Sequence, residues 1–128
     1  MKLSFIKPVH AHCDLPCGIY DPAQARIEAE SVKAIMDKYT PDLHQEDKIR
    51  AIIIKEQRSE LVKHHLWVLW TDYFKPEHLE KHPDLHDKFW QATKQAGNCK
   101  KSTDPAEGQK LLDMIDDIAQ IFKQTKKA

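Results

Sequence analysis

Leu43-His44-Gln45-Glu46-Asp47-Lys48-Ile49-Arg50-Ala51-Ile52-Ile53-Ile54-Lys55-Glu56-Gln57-Arg58 opens a stretch that runs to Phe74 without a glycine or a proline. Within it Ile49, Ile52, Ile53, Leu61, His65, Val68, Leu69 and Tyr73 recur at three- and four-residue steps with charges between them. That period marks the apolar stripe of a long amphipathic helix, roughly 45 Å from end to end at 1.5 Å per residue.

The flanks repeat the pattern. Upstream, Asp21-Pro22 is a helix start, with Asp as N-cap and Pro at the first helical position. Ala23 to Tyr39 then sets Ile27, Val32, Ile35, Met36 and Tyr39 near one face, and Thr40-Pro41-Asp42 interrupts. Downstream, Lys75-Pro76-Glu77 turns into a third helix expected from Pro76 to about Gly97, kinked or briefly broken at Pro83 and stopped by Gly97-Asn98. Asp104-Pro105 starts a fourth, from Ala106 to about Lys126, with Leu111, Leu112, Ile115, Ile118, Ala119 and Phe122 on one side. Four such helices on short loops predict an all-α protein, an antiparallel (up-down) four-helix bundle with an N-terminal metal-binding hook.

Composition narrows the class. At 128 residues the chain is one ordinary domain, and only three glycines count against an all-β fold. Twenty basic and twenty acidic side chains cancel, whereas a nucleic-acid binder carries a basic excess; no nucleic-acid partner is expected. No run is long enough to span a membrane. The leader Met1 to Ala11 is too short and too broken by Ser4 and Lys7 for a secretory signal, so a cytoplasmic protein is expected.

The chemistry gathers just after that leader, in His12-Cys13-Asp14-Leu15-Pro16-Cys17-Gly18-Ile19-Tyr20. With His12 as first residue, its free amine, the next backbone nitrogen and the Cys13 thiolate supply three ligands in one plane. Cys17, brought back by the Leu15-Pro16 turn, supplies a fourth, and the His12 imidazole approaches from above. Planar nitrogen and sulfur donors suit Ni(II) or Cu(II) better than zinc. Spacing alone leaves metal binding level with a local disulfide or unreactive thiols.

From His12 to Pro22 the sequence resembles the nickel hook of the nickel-containing superoxide dismutases, whose pattern is H-C-x-x-P-C-G-x-Y. The likeness continues through 23–30 and returns at Asp72-Tyr73-Phe74-Lys75-Pro76. It implies disproportionation of superoxide to oxygen and hydrogen peroxide by Ni(III)/Ni(II) cycling, in a homohexamer with one nickel ion per subunit. The implied ligands are His12, Cys13 and Cys17. Glu28 and Arg58 would hold the His12 ring, Tyr20 would gate the open face with Tyr73 behind it, and Asp14 would tie the loop down with Lys75 nearby. Pro16 would be cis. Because a free amine is needed, the resemblance also implies removal of residues 1–11 by a processing protease, leaving 12–128 as one bundle domain with its hook at 12–20.

Several other features have plainer readings. His78, His82 and His86 lie at four-residue intervals, but Pro83 disrupts their shared face, so a second metal site is disfavoured. His64 is expected at the surface and His65 part-buried. Trp67, Trp70 and Trp90 are expected in the core or at subunit contacts, and Cys99 as a bystander thiol beside lysines. Lys75, Lys100 and Lys101 could form a basic rim that draws in superoxide. Two functions compete: a non-catalytic nickel or copper carrier using the same hook, and a helical interaction protein with an unremarkable N-terminal loop, which would leave the hook cluster unexplained.

Overall fold

A computed structural model of the chain describes residues 18–126. The leader 1–11 and the hook residues His12, Cys13, Asp14, Pro16 and Cys17 lie outside the described residues. The helices are α1 (Ala23–Lys38), α2 (Gln45–Val68), α3 (Pro76–Lys81), α4 (Leu85–Lys101) and α5 (Pro105–Lys126), with one π-helical turn, Leu69–Tyr73, extending α2. Long helices α1, α2, α4 and α5 form the expected four-helix bundle, α1 and α4 each packing on both α2 and α5. Among the described residues no helix is long and apolar enough to cross a membrane.

Each long helix turns a stripe inward at alternating steps of three and four. The stripes are Ala25, Ala29, Val32 and Met36 on α1; Lys55, Ser59, Val62 and Leu66 on α2, continued by Leu69 in the π turn; Leu85, Phe89, Ala92, Ala96 and Cys99 on α4; and Gly108, Leu111, Ile115, Ile118 and Phe122 on α5. That alternation keeps the seam facing its neighbours in a left-handed bundle. Gly108 allows the closest approach: a Cβ there would stand 3.0 Å from the Lys33 Cα on α1.

The stripes correct the sequence reading of α1 and α2. Ile27 is 63% exposed, and Ile49, Ile52, Ile53 and Leu61 also face outward. Large β-branched residues dominate a hydropathy pattern, yet helices meet at the small ones, so the α1 seam follows Ala25 and Ala29. None of the first ten residues of α2 is buried. Trp67 and Trp90 are likewise exposed rather than in the core of the chain. Trp70 is part-buried, its indole N–H donating to His86 Nδ1 at 2.6 Å.

Two helix ends also differ. The helix expected to reach Phe74 in α form gives way at Leu69 to the π turn, closed by the Phe74 N–H on Leu69 O at 3.0 Å. The Thr71 hydroxyl serves the Trp67 carbonyl at 2.7 Å where the ladder widens. Gly97 does not stop α4, which runs on to Lys101. Buried Lys55 reaches across from α2 and donates to the carbonyls of Cys99 and Lys100 at 2.6 and 2.7 Å. Carbonyls that a helix end leaves orphaned are thus satisfied by a neighbour, and the helix continues past its glycine. Pro83 does break the third segment, falling between α3 and α4.

Cys99 is fully buried, its thiol donating to Glu107 O at 3.4 Å. Burial holds this thiol up at about 11, with the Glu107 carboxylate adding to the shift and Lys55 opposing it. Between pH 9 and 11 the folded thiol therefore keeps its proton while the unfolded one loses it, and stability falls as pH rises. In denaturant melts, the stability advantage of the wild type over Cys99→Ala should shrink by about 2 kcal/mol from pH 9 to pH 11; a constant difference would show that burial does not hold the proton.

Candidate metal centre

The chain emerges from the hook at Gly18, whose φ of +67° is the left-handed turn that glycine adopts without strain. Two residues on, Tyr20 packs its ring on Tyr73 with centroids 5.5 Å apart. Asp21 then fixes the start of α1, its carboxylate accepting the Ala23 N–H at 2.9 Å. The helix begins one residue later than the sequence reading, with Pro22 rather than Asp21 at the N-cap position. Carboxylate and ring contact together pin the outgoing end of the hook to the bundle.

Tyr73 sits at the last position of the π turn, with its ring fixed from several sides. Phe122 lies 4.6 Å away, Phe74 meets it edge-on at 5.0 Å, and His78 stacks within 14° at 5.8 Å. The Tyr73 hydroxyl and Thr125 Oγ1 are 2.6 Å apart. His78 is itself fastened, its Nδ1 accepting the Lys75 N–H at 3.0 Å. An open cavity of about 450 Å³ brings Gly18, Tyr20, Tyr73 and Lys75 together with Lys126. The Lys126 ammonium rides 5.3 Å from the Tyr73 ring centre.

Glu28 and Arg58 also meet, across α1 and α2, with guanidinium-to-carboxylate distances of 3.0 and 3.3 Å. Glu28 is the more enclosed, its side chain 16% exposed against 44% for Arg58. A partly desolvated carboxylate held by one guanidinium keeps spare lone pairs for a further N–H donor, such as an imidazole.

The basic rim differs from the sequence reading. Lys75 lies at the cavity, but Lys100 pairs with Glu56 and Glu60 beside the middle of α2, roughly 25 Å along that helix from Lys75. The second cation at the cavity is Lys126. Neither it nor Thr125 was marked out by local spacing, since Tyr73 and Thr125 are 52 residues apart, and His78 was marked only as part of a histidine series. Topology was the available signal. In an up-down bundle the second and fourth helices run the same way, so their C-terminal ends meet where the first helix starts.

No second metal site emerges from the histidines. Nδ1 of His78 and Nδ1 of His86 each accept an N–H. Among the described residues no three His, Cys, Asp or Glu side chains form a possible metal cluster. The sequence carries two thiols and an imidazole just ahead of Gly18, at His12, Cys13 and Cys17, outside the described residues.

A helical bundle with an open cavity lined by two tyrosines, two lysines, Asp72 and His78 at one end offers a site for a small polar ligand. Comparison with known proteins makes this specific. The model of the family described as nickel-containing superoxide dismutase matches residues 7–126. The chain is 62% identical over 120 residues to superoxide dismutase [Ni] of Streptomyces seoulensis, covering 94% of this chain and 92% of that protein. The counterpart from Streptomyces coelicolor is 58% identical over the same length and coverage. A native nickel superoxide dismutase structure superposes with a TM-score of 0.88 at 58% identity, covering 91% of this chain and all of the other. One with nickel ligation corresponding to the oxidised state gives 0.88 at 62%, with the same coverage. The chain belongs to the nickel-containing superoxide dismutase family; it is an enzyme that disproportionates superoxide, with nickel as its cofactor.

Lys75 and Lys126 outnumber the one carboxylate at the cavity, Asp72, giving it a locally positive balance on a molecule of zero formal charge. Lys75→Gln combined with Lys126→Gln should lower kcat/KM for superoxide several-fold at low ionic strength, about three- to tenfold, and flatten its decline with salt. Lys100→Gln should not. An unchanged salt slope in the double variant would remove the steering role.

Proposed function

We propose that the nickel is held by His12 through its amine and imidazole, by Cys13 through its amide nitrogen and thiolate, and by Cys17 through its thiolate. This requires a protease to cut after Ala11, since the proposed amine ligand at His12 exists only once the Ala11–His12 peptide bond is broken. The chemistry that bound nickel supplies is a one-electron Ni(III)/Ni(II) couple, passing an electron from one superoxide to the next. The observation that carries this reading is the cavity opening at Gly18, where the hook rejoins the bundle beside Tyr20, Tyr73 and Lys75.

The chain's own residues do the rest. Glu28, braced by Arg58, accepts the imidazole N–H of His12 and so sets the tautomer and the position of the ring. Tyr20 gates the mouth from its place on Tyr73 and orders the water inside it. Lys75 draws the anion in and, with Asp14, ties the loop to the rim. Pro16, in cis geometry, makes the turn that returns Cys17 to the site. A carrier would gain nothing from a built cavity over the metal, which disfavours that function. The decisive preparation is the chain trimmed to begin at His12 and loaded with nickel. It should destroy superoxide at least 100-fold faster than the uncut chain under the same loading, an order set by loss of a ligand from the redox centre. Equal rates would overturn the ligand assignment, and metal uptake without turnover would favour the carrier.

We further propose assembly of this chain into a homohexamer in the cytoplasm. Ile27, Ile49, Ile52 and Ile53, with Trp67 and Trp90, are exposed on a single chain, more apolar surface than a monomer normally leaves wet. Ile52→Lys with Ile53→Lys should leave the helical fold intact and shift sedimentation to smaller species; a hexamer that survives both charges would place the contact elsewhere.

A further inference from the structure

Thr125 Oγ1 lies 2.6 Å from the Tyr73 hydroxyl and 2.6 Å from the carbonyl of Phe122. A threonine hydroxyl has one hydrogen, and a carbonyl can only accept. That hydrogen is committed to Phe122 O, so Thr125 can only accept from Tyr73, and the Tyr73 phenol must be the donor. We propose that Thr125 is a positioning residue for superoxide turnover: it turns the Tyr73 O–H toward α5, so that Tyr73 meets the cavity only as a hydrogen-bond acceptor.

The surroundings leave the ring no other way to settle the question. Phe122, Phe74 and His78 clamp it on its faces and edge, and the Lys126 ammonium sits over it. With the ring fixed, only rotation of the hydroxyl hydrogen remains, and Thr125 decides it. The consequence is chemical. Converting superoxide to hydrogen peroxide takes one electron, which the established reaction draws from a second superoxide, and two protons. Tyr73 supplies neither proton directly, because giving up its hydrogen would break the bond to Thr125 and require Thr125 to abandon Phe122 O. Its remaining lone pairs can instead hold a donor, water or another hydroxyl, aimed into the cavity.

This inference rests on the proposed role of the tyrosine pair, and its test separates the two. Thr125→Val keeps the shape and removes the acceptor, whereas Thr125→Ser keeps the acceptor. In the full chain, the Tyr73 hydroxyl proton should show a slowly exchanging resonance with a cross-peak to the Thr125 methyl. The serine variant should retain the slow exchange and the valine variant should lose it. With nickel bound to the trimmed chain, Thr125→Val should lower kcat about tenfold with little change in KM, Thr125→Ser should restore it, and neither should matter in a Tyr73→Phe background. A hydroxyl proton in contact with Tyr20 rather than Thr125, equal damage from serine and valine, or full additivity with Tyr73→Phe would overturn the proposal. Wild-type turnover in Tyr73→Phe alone would defeat the catalytic reading of the tyrosine pair, while the resonance would still report the direction of the bond.

Discussion

The contact of Tyr20 with Tyr73 is the constraint on which the rest of the molecule depends. It is the place where the segment leaving the hook touches the bundle, at ring centroids 5.5 Å apart. A short metal-binding loop has too few residues to hold its own shape against solvent, and its geometry is borrowed from what it is fastened to. Among the described residues the fastening includes this aromatic pair, the left-handed turn at Gly18 and the Asp21 carboxylate on the Ala23 N–H.

The bundle exists in this form because it brings three chain regions to one end. The segment just ahead of α1, the π turn that follows α2 with the adjoining start of α3, and the last turn of α5 converge there, and each contributes cavity residues. Alternating three- and four-residue stripes keep the long helices in register, so the convergence is rigid. At the end of the core away from the cavity one buried cation is tolerated, since the Lys55 ammonium satisfies the last carbonyls of α4; the cost of its burial appears as a lowered pKa.

Much of this was legible in the chain, for identifiable reasons. Helix number and most boundaries followed from proline and aspartate signals, such as Asp21-Pro22 and Asp104-Pro105, that act through nearest neighbours. The family was legible in nine consecutive residues, 12–20. What local pattern could not supply was the facing of α1 and α2, because alanines at 25 and 29 carry little hydropathic weight and Lys55 and Ser59 are polar core positions. Nor could it pair Tyr73 with Thr125, replace Lys100 with Lys126 at the rim, or extend α4 past Gly97 through a lysine on another helix. Each of these is fixed by packing between segments distant in sequence.

Redox chemistry and its control are thus divided between two parts of one short chain. In the proposed arrangement thiolates and nitrogens ahead of Gly18 tune the metal, and the bundle end selects what reaches it and how protons are aimed. A diffraction map collected at the nickel absorption edge, on crystals of the trimmed and loaded protein, tests that division most directly. One strong peak per chain is predicted, in square-planar or square-pyramidal contact with nitrogen and sulfur, facing the Tyr20 and Tyr73 cavity. A peak among His78, His82 and His86 instead, or tetrahedral coordination at the hook, would contradict it.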